Sequence, residues 1–175
     1  PPAIYNTSFH LRGNLGSEIA SVQYLQAGTF KTFVSNITLP TTWQRFTVPE
    51  TMSIRVVFHN NAWEDAKGNA AYSKTNRDRN IYFNMGSAVL LMNNKATKLK
   101  ATSRHTNASL HQKYASAFEQ GVLHSNGIYQ IDFEQITTPI PDNTLPTASP
   151  VPDNALPTAS PVPDNALPTA SPAPT

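Results

Sequence analysis

Apolar and polar residues alternate in short stretches along residues 8–136, and Gly, Asn and Pro separate the stretches. Residues 53–60, SIRVVFHN, place Ile54, Val56 and Phe58 on one face and Arg55, Val57 and His59 on the other. That period of two is the mark of a half-buried strand. Similar runs rich in β-branched and aromatic residues occupy 8–13, 20–28, 29–35, 43–48, 80–85, 88–94, 97–103, 121–127 and 128–136. Trp43 opens one of these runs and is expected in the core. One stretch has a different period. In residues 108–120, Leu110, Tyr114 and Phe118 recur at i, i+4 and i+8, which leaves a short helix or a turn open. Many short strands with regular turn signals predict an all-β fold, an antiparallel β-sandwich of the jelly-roll type.

The connection at residues 60–83, NNAWEDAKGNAAYSKTNRDRNIYF, breaks this rhythm. It is long for a compact domain, and such loops are often functional. It gathers Asn60, Asn61, Glu64, Asp65, Asn69, Asn76, Asp78 and Asn80 around one tryptophan, Trp63. Carboxylate, amide and main-chain oxygens are the ligands of a hard cation; Ca2+ takes ~6–8 of them in irregular loops. The spacing is not that of an EF-hand. The same residue types also make Asx turns in a merely solvated loop.

Composition divides the chain. Residues 139–175 contain three 11-residue units of the form P-[IV]-P-D-N-[TA]-L-P-T-A-S, 11 of the 15 prolines and no aromatic residue. Such a segment buries too little apolar surface to offset its ordering entropy and is expected to be a disordered, extended linker. At ~3.1 Å per residue it would span roughly 110 Å. Residues 1–138 suit one domain, and Pro1 and Pro2 suggest a further linker before it, as in a module of a larger secreted or cell-surface protein. All 13 Lys and Arg lie before residue 139, against 8 acidic residues there, a net charge of +5. No dense basic run points to nucleic acid. The absence of cysteine excludes disulfides, thiolate metal sites and cysteine nucleophiles. No stretch is long and apolar enough for a membrane helix.

The order of motifs narrows the reading. RGNLGSE (12–18), TTWQRFTV (41–48), SIRVVFHNNAW (53–63) and DRNIYFN (78–84) follow one another along the chain. This succession resembles the calcium-dependent, xylan-binding carbohydrate-binding modules over roughly residues 8–90. The resemblance implies a Ca2+ site drawing on Glu18, Asn61, the Arg79 main chain and Asn80, with Asp78 beside them. Asn61 and Asn84 are amides where that family usually has carboxylates, so Glu64, Asp65 and Asp78 are candidates to restore the charge. The implied chemistry is replacement of calcium-bound water by a vicinal diol of a pyranose. Asn60, Lys74 and Arg79 would add hydrogen bonds, and Trp63 or Tyr72 would stack on the sugar. For Trp63 the alternative is packing that pins the loop to the sandwich.

Other chemistry is sparse. His10, His59, His105, His111 and His124 form no i, i+4 or His-x-His pair, and no serine sits in a nucleophile-elbow context. Asp132 and Glu134 alternate on one strand, whereas glycosidase carboxylates face each other across a cleft. An enzyme is not expected. The expectation is a non-catalytic polysaccharide-binding module joined by its linker to an enzyme or other module. The alternative is a structural or adhesive domain of an extracellular surface protein or fibre.

Overall fold

The structure is a computed structural model and describes residues 2–71 and 74–136. The repeats of 139–175 and Tyr72 lie outside the described residues. Ten strands form two antiparallel sheets, and a small ribbon and one helix are attached. In the first sheet, β1 (Tyr5–Gly13) is central. One edge of β1 pairs with β4 (Gln44–Pro49). Its other edge pairs with β9 (Val89–Met92) along residues 5–8 and with β8 (Ile81–Phe83) along residues 11–13. The two-residue β11 (Val122–Leu123) extends β8. The second sheet runs β3 (Thr29–Thr38), β2 (Ile19–Gln26), β5 (Ser53–Phe58), β12 (Gly127–Gln135). β10 (Lys95–His105) belongs to both sheets: residues 95–98 pair with β9 and residues 99–105 with β12.

Two hairpins show how local sequence sets this register. Gln26 pairs with Thr29 and Met92 with Lys95 across two-residue turns. The turn residues, Ala27-Gly28 and Asn93-Asn94, all have positive φ. That geometry matches the twist of the flanking strands and favours Gly and Asn. Between the sheets the alternating faces meet as expected. Ile54, Val56 and Phe58 are buried, and Phe133 of the second sheet packs 6.3 Å from both Phe9 and Phe83 of the first.

Trp43 departs from expectation. It is 44% exposed, because it precedes β4 on the outer side of the sheet, where the Arg12 guanidinium covers it. The 108–120 stretch is helical: α1 spans Ala108–Glu119. The Asn107 side chain caps it by accepting from Leu110 N at 3.1 Å. Phe118 anchors it in the core, and Tyr114 departs from helical geometry (φ −127°, ψ 23°). Three of the histidines that form no pair along the sequence, His105, His111 and His124, gather around Phe118. Among the described residues no helix is long and apolar enough to cross a membrane.

Candidate functional site

The 60–80 connection folds into a narrow ribbon. β6 (Trp63–Glu64) pairs with β7 (Ala70–Ala71) on one side and meets Asp78 on the other. Asp65 builds the turn between β6 and β7. Its Oδ1 accepts from Lys67 N (2.8 Å) and Asn69 N (2.9 Å), an Asx arrangement. The Asn69 main chain above all, against a smaller opposing effect of burial, holds the Asp65 carboxyl below its ordinary range.

Trp63 and Asp78 are directly opposite one another. Glu64 N donates to Arg77 O (2.7 Å) and Arg79 N to Ala62 O (2.9 Å) on either side of them. Such a pair, flanked by hydrogen bonds and making none itself, brings side chains closest. Alternation then gives the ribbon two faces. One carries Glu64, Arg77 and Arg79. The other carries Asn61, Trp63, Asp78 and Asn80.

The first face is an ionic lock. Glu64 is 1% exposed and accepts from Arg79 Nε (2.7 Å), Arg77 Nη2 (3.1 Å) and the Ser17 hydroxyl. Burial alone would raise its pKa, but those donors and the Arg79 charge outweigh it and the carboxyl is held below its ordinary value. The other Arg79 nitrogens donate to Asn60 O (3.1 Å) and Gly68 O (3.0 Å). Asn60 accepts from Ile19 N (2.7 Å) and donates to Ser17 O (2.8 Å). The loop is thereby tied to the start of β2. Beneath it, fully buried Glu18 accepts from the main-chain N–H of Asn14, Leu15, Gly16, Ser17 and Asn80 at 2.8–3.3 Å. Gly13 makes room for this carboxylate; a Cβ there would stand 2.2 Å from Glu18 Oε2.

The second face has acceptors to spare. Asn61 Oδ1 and Asn80 Oδ1 are buried and accept no hydrogen bond. Asn80 Nδ2 donates to Asp78 Oδ2 (3.2 Å), so the amide nitrogen faces the carboxylate and the oxygen is left over. Asn14 Nδ2 fixes this strand by donating to Asp78 O (2.8 Å). Unpartnered buried polar atoms are uncommon and call for a reason. Amide and carboxylate oxygens carried on one face are the donor types a hard cation takes.

This face opens into a cavity of about 640 Å³ lined by Asn61, Ala62, Trp63, Ala71, Asp78, Tyr114, His124 and Ser125. Trp63 is 36% exposed there. Tyr114 and His124, which also line it, form an edge-to-face pair 4.7 Å apart. Ser125 is held by Tyr129, whose hydroxyl donates to Ser125 O (2.8 Å) and accepts from Ser125 N (2.9 Å). Burial pushes the Tyr129 phenol up to about 12, so this clamp stays neutral.

The structure therefore brings together Asn61, Trp63, Asp78 and Asn80 of the expected residues. Glu18, Glu64 and Asp65 do not join them, because each carboxylate is engaged by other donors. The Arg79 and Asn60 side chains belong to the lock. Lys74 is exposed. Among the described residues no three acidic or histidine side chains converge on a common metal position. Tyr114, His124 and Ser125 were not anticipated. No local pattern links them to residue 63, and only closure of the sandwich brings them to the cavity.

No protein-family model and no curated protein matches the chain. Two solved structures show a likeness to the chain. One is the selenomethionine form of vCBM60, described with a circular permutation linking two families of calcium-dependent carbohydrate-binding modules. It is 20% identical with a TM-score of 0.43, over 77% of this chain and 95% of its own. The other is vCBM60 in complex with galactobiose, 23% identical with a TM-score of 0.40, over 74% of this chain and 99% of its own.

Proposed function

We propose that residues 2–136 form a non-catalytic, calcium-dependent polysaccharide-binding module, with Ca2+ held by Asn61, Asp78 and Asn80 and the sugar lying in the cavity against Trp63. One observation carries this reading: Asn61 and Asn80 share a ribbon face with Asp78 and keep buried oxygens that accept no hydrogen bond, and Asn61 and Asp78 line an aromatic-walled cavity. A sugar site of this kind is a concave surface with apolar walls and a few placed polar groups. Bound Ca2+ would supply a charge and exchangeable positions for vicinal hydroxyls. The chain's own part is to fix the three donors on a ribbon locked by Glu64 and Arg79 and to offer the Trp63 ring to the C–H face of a pyranose.

Among the described residues Asp78 is the one carboxylate lining the cavity, whereas a glycosidase pair needs two. On composition, the repeats of 139–175 would tether the module to an enzyme or other partner outside the cell, and the motif order favours a xylan-like polymer. A structural or adhesive role would account for the dispersed carboxylates, but it gives no reason for the two orphaned oxygens. Calorimetric titration with xylan, galactan and cellulose fragments tests the proposal. Binding to at least one in calcium, abolished by chelator, is expected; binding that survives chelation would overturn it.

A further inference from the structure

We infer that the outer face of the first sheet carries a carboxylate-reading subsite built on Arg12, and that the glycan taken by the adjoining cavity bears hexuronic acid. The inference rests on the reading of the cavity as a glycan site and specifies its ligand class.

Arg12 lies on β1 between β8 and β4. Its guanidinium carbon is 4.3 Å from the Tyr82 ring centroid and 5.1 Å from that of Trp43. With rings on two sides, the in-plane N–H groups are the donors left to a ligand. Among the described residues they make one long bond, Nη1 to Gly13 O at 3.5 Å, and no ion pair, since both ion pairs belong to Glu64. A planar fork with free edge donors matches a carboxylate in geometry as well as charge.

The surroundings agree. The strands of this sheet, β1, β4, β8, β9, β11 and residues 95–98 of β10, contain no Asp or Glu, while they carry Arg12, Arg45, Lys95 and Lys98. Arg45 stands on the same outer face, paired in register with His10, with its Nε on the Ser8 hydroxyl (2.8 Å). The face also runs into the cavity. Tyr82 follows Asn80 by two residues, and its partner Val122 precedes the cavity residue His124 by two. Strand spacings put the Arg12 and Asn80 backbones roughly 8 Å apart, close enough for neighbouring units of one glycan chain. Trp43, 44% exposed, would stack on the same acidic sugar. If Arg12 instead only shields two rings from water, the face would not distinguish an acidic sugar from a neutral one.

The probes are an oligosaccharide containing hexuronic acid and the same oligosaccharide after carboxyl reduction, titrated in saturating calcium at low ionic strength. The readout is the ratio of the two affinities. The domain should favour the acidic form roughly five- to tenfold. Arg12→Gln should bring the ratio to one, and Arg12→Lys, with the charge but without the fork, should give an intermediate ratio. Melting curves establish that each variant is folded, and Arg12→Lys decides the matter if Arg12→Gln is not. A wild-type ratio of one, with both sugars bound, overturns this inference and leaves the cavity reading intact. A preference that persists in Arg12→Gln overturns it too, placing the carboxylate on the calcium instead. Failure of both sugars to bind overturns the inference together with the cavity reading.

Discussion

Replacing Glu64 with Ala separates a carboxylate that holds the loop from one that holds a metal. Glu64 is 1% exposed, and its principal partner, Arg79, has a side chain 10% exposed. Removal leaves the Arg79 guanidinium buried with only the Asn60 and Gly68 carbonyls to face it. Breaking a buried pair from one side costs about 3–5 kcal/mol, mostly from the charge left behind. The Arg77 contact adds little, since that side chain is 48% exposed and exposed pairs contribute about 0–1 kcal/mol. For a domain of this length roughly 3 °C of melting temperature accompanies each kcal/mol, so the loss should be about 10–15 °C. The Arg77→Ala variant should lose no more than about 3 °C on the same scale. Scanning calorimetry with calcium and with chelator is the assay. If Glu64 is a lock, both curves fall together and the increment due to calcium survives. A small loss in chelator combined with disappearance of the calcium increment would refute the reasoning and make Glu64 a metal ligand.

Asp78→Ala should show the reverse: a near-normal melting temperature in chelator and no rise on adding calcium, where the unaltered domain should gain about 2.7 kcal/mol at a hundredfold excess over Kd. Trp63→Ala should weaken glycan binding roughly fivefold to thirtyfold by titration, with calcium affinity unchanged, because the indole offers no oxygen to the ion; unfolding of this variant would mark the ring as a packing anchor. Acid should loosen the ribbon. Glu64 has a folded pKa below its ordinary 4.5, so its contribution is complete above that value and is lost as pH falls through the folded pKa. Melting temperature should therefore drop on going below pH 4.5, and Glu64→Gln should flatten that slope.

What the sequence disclosed depended on the range of the interaction. Strand alternation is local, so Ile54, Val56 and Phe58 were readable as a buried face. Turn chemistry is local too, yet Asn93-Asn94, which ends the strand-like run 88–94, closes a two-residue hairpin instead of extending the strand. For Trp43, alternation tells two faces apart without telling which one is covered; the ring lies on the outer face, covered only in part by a cation from the neighbouring strand. The carboxylates were harder. Glu18, Glu64 and Asp65 have the composition of a metal site, but five main-chain amides, two arginines and one tight turn hold them elsewhere.

Asn61 and Asn80 gain their meaning from this same arrangement. An amide carries no charge, so burying its oxygen costs far less than burying a carboxylate. A site built from two amides and Asp78 can therefore stand inside a loop whose other carboxylates, Glu64 and Asp65, are held by protein donors. It would hold calcium less tightly than a carboxylate cluster, and part of the binding energy would come from the sugar that completes the shell. Calcium and glycan should then bind with positive coupling, each raising the affinity of the other by the same factor. Calcium titrations with and without saturating oligosaccharide measure that factor directly. A factor well above one, lost in Asn61→Ala, is expected. Equal calcium affinities in the two titrations would mean that ion and sugar do not share a shell, and the orphaned oxygens would need another explanation.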